Sequence, residues 1–137
     1  MLPDGVSPEE VVLSYILTKH YWETSAYQHQ EEDPDVFEAE LAKGEALSKA
    51  HLTERKQNDM CVSISSPPQF SLGYVLMRVT QVKPSRVEIY VKPPYPGALD
   101  DNKEWIFVCL KKNGQWRIDS GKSRMVGTWK YERDYLV

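Results

Sequence analysis

The apolar residues of this chain change period once, near Met60, and that change limits the folds open to it. Up to that point they recur at helical spacing; beyond it they alternate every second residue. A period of 3.6 buries one stripe of a helix, and a period of two buries one face of a strand. Helices first and strands afterwards is the α+β arrangement. The expectation is two or three N-terminal helices packed on a curved, mostly antiparallel sheet. With 137 residues there is room for one domain, spanning 1–137.

The helical part begins with Ser7-Pro8-Glu9-Glu10, a capping box: a Ser cap, a Pro at the first helical position and a Glu three residues after the cap. The helix is predicted to run to about His29 or Gln30, with Leu13, Ile16, Leu17, Tyr21 and Tyr27 as its apolar stripe. His20 and Thr24 fall on the same stripe, while Val11, Val12, Tyr15, Trp22 and Ala26 widen the covered face. Asp33-Pro34 opens a second helix by the same logic, ending near Arg55 or Lys56. Gly44 is placed to divide it, since a mid-helix Gly costs about 1 kcal/mol relative to Ala.

Strands are predicted over Cys61–Ser65, Tyr74–Val82, Arg86–Lys92, Trp105–Lys111 and Trp116–Ser120, with Gly127–Tyr131 as a last strand or an extended tail. Pro67-Pro68 and the Pro93–Gly97 stretch mark loops. Asn113-Gly114 is the turn of a two-residue hairpin, in which both positions need positive φ. That turn sets Lys111 opposite Trp116, Cys109 opposite Ile118 and Phe107 opposite Ser120. One face then gathers Trp105, Phe107, Cys109, Trp116 and Ile118 against the helices, and the other carries Ile106, Val108, Leu110, Arg117 and Asp119. A sheet bent around its helices in this way leaves a cavity beside the first helix.

Charge is distributed unevenly. Residues 1–60 carry thirteen acids against five Lys or Arg, and residues 61–137 carry seven against twelve, so a net −3 hides halves of −8 and +5. The acids concentrate at Glu31, Glu32, Asp33, Asp35, Glu38 and Glu40. Such a stretch is either a solvated helix face or a field that steers a basic partner. The bases of the second half fall on alternating strand positions, not on a nucleic-acid stripe, so direct nucleic-acid binding is not expected. No apolar run approaches the ~20 residues of a membrane helix, and the first residues lack the pattern of a secretory signal. A cytoplasmic location is therefore expected. Cys61 and Cys109 form no disulfide framework or metal spacing and read as small core residues. His29 and His51 are expected at the surface, and no metal or cofactor is implied.

The capped first helix, the second helix, and the closing strand Gly114-Gln115-Trp116-Arg117-Ile118-Asp119 resemble the nuclear transport factor two-like superfamily. More narrowly, Asp101–Asp119 and the tail Trp129-Lys130-Tyr131-Glu132-Arg133-Asp134-Tyr135-Leu136 resemble bacterial immunity proteins of that fold. The resemblance implies a cone-shaped domain that binds and neutralises the C-terminal domain of a polymorphic toxin, which can be a basic nuclease, and that is not an enzyme. Read as a binding surface, the candidate contacts are Glu31, Glu32, Asp33 and Asp35, with Tyr95, Asp100 and Asp101 in the Pro-stiffened loop. Tyr is favoured there because its ring loses little entropy on binding. The tail offers a further contact, although packing of Trp129 and Tyr135 onto the sheet edge is the expectation. The superfamily also contains isomerases and dehydratases, and for that alternative Tyr15, His20 and Trp22 are the candidate cavity residues, with His20 as acid or base. Asp119 is expected to pair with Arg117 or another base. A homodimer through the open sheet face is a third use of such a body.

Overall fold

The computed structural model describes residues 5–31, 33–59, 64, 69–70, 72–93, 103–125 and 129–134. Its elements are α1 (Pro8–His29), α2 (Pro34–His51), α3 (Glu54–Asp59), β1 (Val75–Lys83), β2 (Arg86–Lys92), β3 (Lys103–Lys112), β4 (Gln115–Met125) and β5 (Glu132–Arg133). The architecture is α+β: two long helices packed on a five-stranded antiparallel sheet in the order β1-β2-β3-β4-β5. The candidate strand Cys61–Ser65 lies outside the described residues except for Ile64.

Ser7 caps the helix as expected: Glu10 N–H donates to Ser7 Oγ at 3.2 Å, and α1 ends at His29. Its covered stripe differs from the expected one. Val11, Val12, Tyr15, Ile16, Lys19, Glu23 and Ala26 are buried, whereas Leu13, Leu17, Tyr21 and Tyr27 are exposed. The helix carries two rows of large side chains. The row facing the sheet includes Lys19 and Glu23, whose charges conceal it from a hydropathy pattern, while the uniformly apolar row faces outward.

α2 begins at the Asp33 cap, whose Oδ1 accepts from Asp35 N–H at 2.8 Å. Gly44 does not divide it. A Cβ there would fall 2.5 Å from Trp22 Cζ2, so the glycine is where α1 and α2 cross closely. The helix stops instead at Leu52, which forms a parallel bridge with Ile118 while Thr53 N–H donates to the Ile118 carbonyl at 2.9 Å. Thr53 Oγ1 then accepts from Lys56 N–H at 3.2 Å and starts α3. The predicted end near Arg55 is thus corrected by a sheet contact that no helical propensity encodes.

Asn113 and Gly114 both have positive φ, 52° and 75°, as the tight hairpin requires. Lys112–Gln115, Lys111–Trp116 and Cys109–Ile118 pair as the turn dictates. Beyond Asp119 the register shifts by one: Val108 pairs with Ser120 and Phe107 with Gly121, not with Ser120. Asp119 is the extra residue of a β-bulge. The inner sheet face (Val87, Ile89, Val91, Trp105, Phe107, Cys109 and Ile118) closes with Val11, Val12, Tyr15, Ile16, Leu52 and Phe70 into one core. The final strand is Glu132–Arg133, just past the expected Gly127–Tyr131 segment, and it pairs with Lys122 and Ser123.

Candidate functional site

The acidic stretch divides on folding. Glu31, Asp33, Asp35 and Glu38 are exposed at the α1–α2 turn and the first turns of α2. Asp33 acts there as the helix cap, and Asp35 lies in the first turn, where negative charge suits the helix dipole. Glu40 leaves the surface. It is buried, accepts from Ser25 Oγ at 3.0 Å, and lies 3.5 Å from both Lys43 Nζ and His29 Nδ1. Burial pushes its carboxyl upward, but the Ser25 hydrogen bond and the Lys43 charge outweigh that and hold it below the usual range. Glu32, Tyr95, Asp100 and Asp101 lie outside the described residues.

The three cavity candidates do not converge. Tyr15 points into the sheet core, edge-on to Phe70 and Phe107. Trp22 faces α2 and donates its indole N–H to the Glu40 carbonyl at 2.7 Å. His20 Nδ1 lies 2.7 Å from the Phe70 carbonyl, so this nitrogen carries the proton. Tyr15 and His20 both meet Phe70, one at its ring and the other at its carbonyl, while Trp22 faces away toward α2.

Sequence reasoning missed the polar line beneath α1. Lys19 and Glu23 are 4% and 1% exposed. Lys19 Nζ donates to Tyr15 Oη at 3.3 Å and Gln69 Oε1 at 2.5 Å, and Glu23 Oε2 accepts from Gln69 N–H at 3.2 Å. Burial pulls the Lys19 amine down to about 8, against the opposing pull of Glu23. The signal that could have found this line is the i, i+4 spacing of Tyr15, Lys19 and Glu23 along the row of Val12 and Ile16. His51 is also buried, contrary to its expected surface position. Its Nδ1–H donates to the Leu47 carbonyl at 2.8 Å, and its Nε2 accepts from Ser14 Oγ at 2.8 Å. Asp119 meets α3, not Arg117: it accepts from Thr53 Oγ1 at 2.9 Å and pairs with Arg55. Arg117 instead donates to the carbonyls of Lys49 and Leu52 at the end of α2. Among the described residues, no three His, Cys, Asp or Glu side chains are grouped to hold a metal ion.

The surface is more informative at the tail. Trp129 is 96% exposed, against the expectation that it packs on the sheet edge; Tyr135 lies outside the described residues. Trp129 borders an open groove of about 610 Å³ with Lys103, Arg124, Met125, Lys130 and Arg133 among its walls. Asp134 anchors one side, accepting from Ser123 Oγ at 2.8 Å and Lys103 Nζ at 3.3 Å. Beside the groove, Tyr131 donates to Glu104 Oε2 at 3.2 Å, which also takes Arg124 Nη2 at 2.9 Å. The ladder continues over the sheet: the Arg124 guanidinium lies 4.4 Å from the Tyr131 ring centre, Tyr131 meets Tyr90 edge-on at 6.1 Å, and Arg78 covers Tyr90 at 4.2 Å.

No protein-family model, curated protein or solved structure matches this chain. No helix among the described residues is long and apolar enough to cross a membrane.

Proposed function

We propose that this chain is a binding protein without chemistry of its own. In the narrower form suggested by its C-terminal third, it is an immunity protein of the nuclear transport factor two-like superfamily. It would hold the toxic domain of a polymorphic toxin inactive in the cytoplasm of the producing cell, by covering a surface that the toxin needs.

The observation that carries the reading is Trp129, 96% exposed at the rim of the tail groove. Burying an indole of roughly 200 Å² at about 25 cal/mol per Å² gives on the order of 5 kcal/mol before the costs of association. Trp and Arg are among the residues that dominate binding energy at protein interfaces, and Trp129, Arg124 and Arg133 line this groove. Its walls come from Lys103 and from tail residues between Trp129 and Asp134, which lie in the segments that carry the resemblance, and from Ser123, Arg124 and Met125 of β4. The interior supports the same reading, since Lys19, His20 and His51 are held by groups of the protein itself. The acidic turn at Glu31, Glu32, Asp33 and Asp35, with Tyr95, Asp100 and Asp101, remains part of the proposed contact set.

The test is co-expression with the toxin domain encoded beside this gene. The expected result is restored growth and a single complex of the two chains on size-exclusion chromatography. Equal killing with and without this chain would end the immunity reading.

A further inference from the structure

The outer face of the sheet is bare of helices among the described residues, and its charge is one-sided. One row of register partners crosses all five strands: Arg78, Tyr90, Ile106, Lys122 and Arg133. Alternation places Arg86, Lys92 and Arg124 on the same face, with Glu88 and Glu104 as its acids. Those acids are already engaged, Glu88 by Arg86 at 4.0 Å and Glu104 by Arg124 at 2.9 Å. Among the described residues, no carboxylate lies within ion-pair distance of Arg78, Lys92 or Lys122. On this face Ile106 and Val108 are buried. Arg124 also reaches the groove that Trp129 borders, whose walls Lys103, Ser123, Met125 and Glu132 alternate onto the opposite face.

We propose that this face, from Arg78 across Tyr90 to Lys122, is the docking surface for an acidic protein segment. The inference rests on the reading of the chain as a binding protein and gives the chemistry of the partner surface. Charge complementarity selects the sign. Two observations select protein over nucleic acid. A single-strand platform needs open rings for successive bases, whereas Tyr90 and Tyr131 are each covered by a guanidinium and meet each other edge-on. The molecule also carries a net −3, with its acids gathered in the N-terminal half. A long polyanion meets that field, whereas a compact acidic patch meets only the local cations within a Debye length of about 8 Å.

The experiment uses the full chain and a short labelled peptide alternating Asp with Leu and Phe, followed by fluorescence anisotropy. The expected result is binding that weakens with salt. The Arg78→Glu/Lys122→Glu protein should bind at least about tenfold more weakly, and reversal of two exposed acids of the helical layer outside the contact set, Glu45→Lys/Glu54→Lys, should leave binding as in the parent. The milder Arg78→Gln/Lys122→Gln pair should give an intermediate loss, and a thermal melt confirms that each variant is folded. The proposal is overturned if the parent does not bind the peptide, if folded charge-reversed protein binds equally well, or if an oligo-dT strand binds more tightly than the peptide. A chain that protects growth yet ignores the peptide sinks this inference alone. A chain that takes the peptide yet fails to protect sinks the immunity reading alone.

Discussion

Gly44 allows α2 to lie against the flat of the Trp22 indole, and the indole is itself fixed by its hydrogen bond to the Glu40 carbonyl. Alanine in a helix ordinarily gains about 1 kcal/mol over glycine. Here the added methyl meets a ring that has little freedom to turn aside, and overpacking of that kind costs about 1–3 kcal/mol. Gly44→Ala is therefore expected to lower the urea midpoint without changing the slope of the transition. His51 makes a second prediction at this scale. Burial pushes its imidazole below the usual value, against the pull of the Leu47 carbonyl. The unfolded chain then takes up the proton more readily than the folded one, so stability is full above about pH 6.5 and falls as pH drops below it. Melting temperatures followed from pH 7.5 down to 5 should show the decline, and His51→Gln should flatten it.

Among the elements, the joint between α2, α3 and β4 holds the helical layer in register with the sheet. Leu52 bridges to Ile118, and the bulged Asp119 takes both Thr53 and Arg55. Burial raises the Asp119 carboxyl, but the hydrogen bonds from Arg55 and Thr53 and the Arg55 charge outweigh it and hold it below its ordinary value. Its contribution is present above about pH 3.9 and is lost as pH falls through the lower folded value. Asp119→Asn should cost about 1–2 kcal/mol near neutrality, at the low end for a charged hydrogen bond because the Arg55 side chain is largely solvated. Chemical denaturation should show the difference from the parent closing toward pH 3. This joint also marks what local chemistry conveys. Ser7 with Glu10 and Asn113 with Gly114 were legible because cap and turn are decided within a few residues. The end of α2 at Leu52 and the bulge at Asp119 were not, because each depends on a partner more than sixty residues away. Lys19 and Glu23 were missed for a related reason: their cost of burial is met by Tyr15 and Gln69, and only the folded chain brings Gln69 there. Tyr90 alternates with the buried Val87, Ile89 and Val91, but its partners Arg78 and Tyr131 need registers that no tight turn announces.

Across the whole molecule, charge is sorted by layer. The exposed acids of the α1–α2 turn belong to the helical layer, and the cations Arg78, Lys92 and Lys122 belong to the outer face of the sheet. Trp129, outside the core, should be dispensable for folding and needed for binding. Trp129→Ala is expected to leave the melting temperature within the scatter of surface substitutions, about 0.5 kcal/mol. It should also weaken the complex by tenfold or more, measured by calorimetry against the co-expressed toxin domain. A substantial loss of stability would instead place the indole among the structural residues.

Each strand of the sheet pairs with its neighbour along the chain. Assembly can therefore start at the Asn113–Gly114 hairpin and advance outward one strand at a time, each step closing only a modest loop. These strand pairings close short loops and can form early, whereas the Leu52–Ile118 bridge and the packing of α1 on β4 close much longer ones and come later.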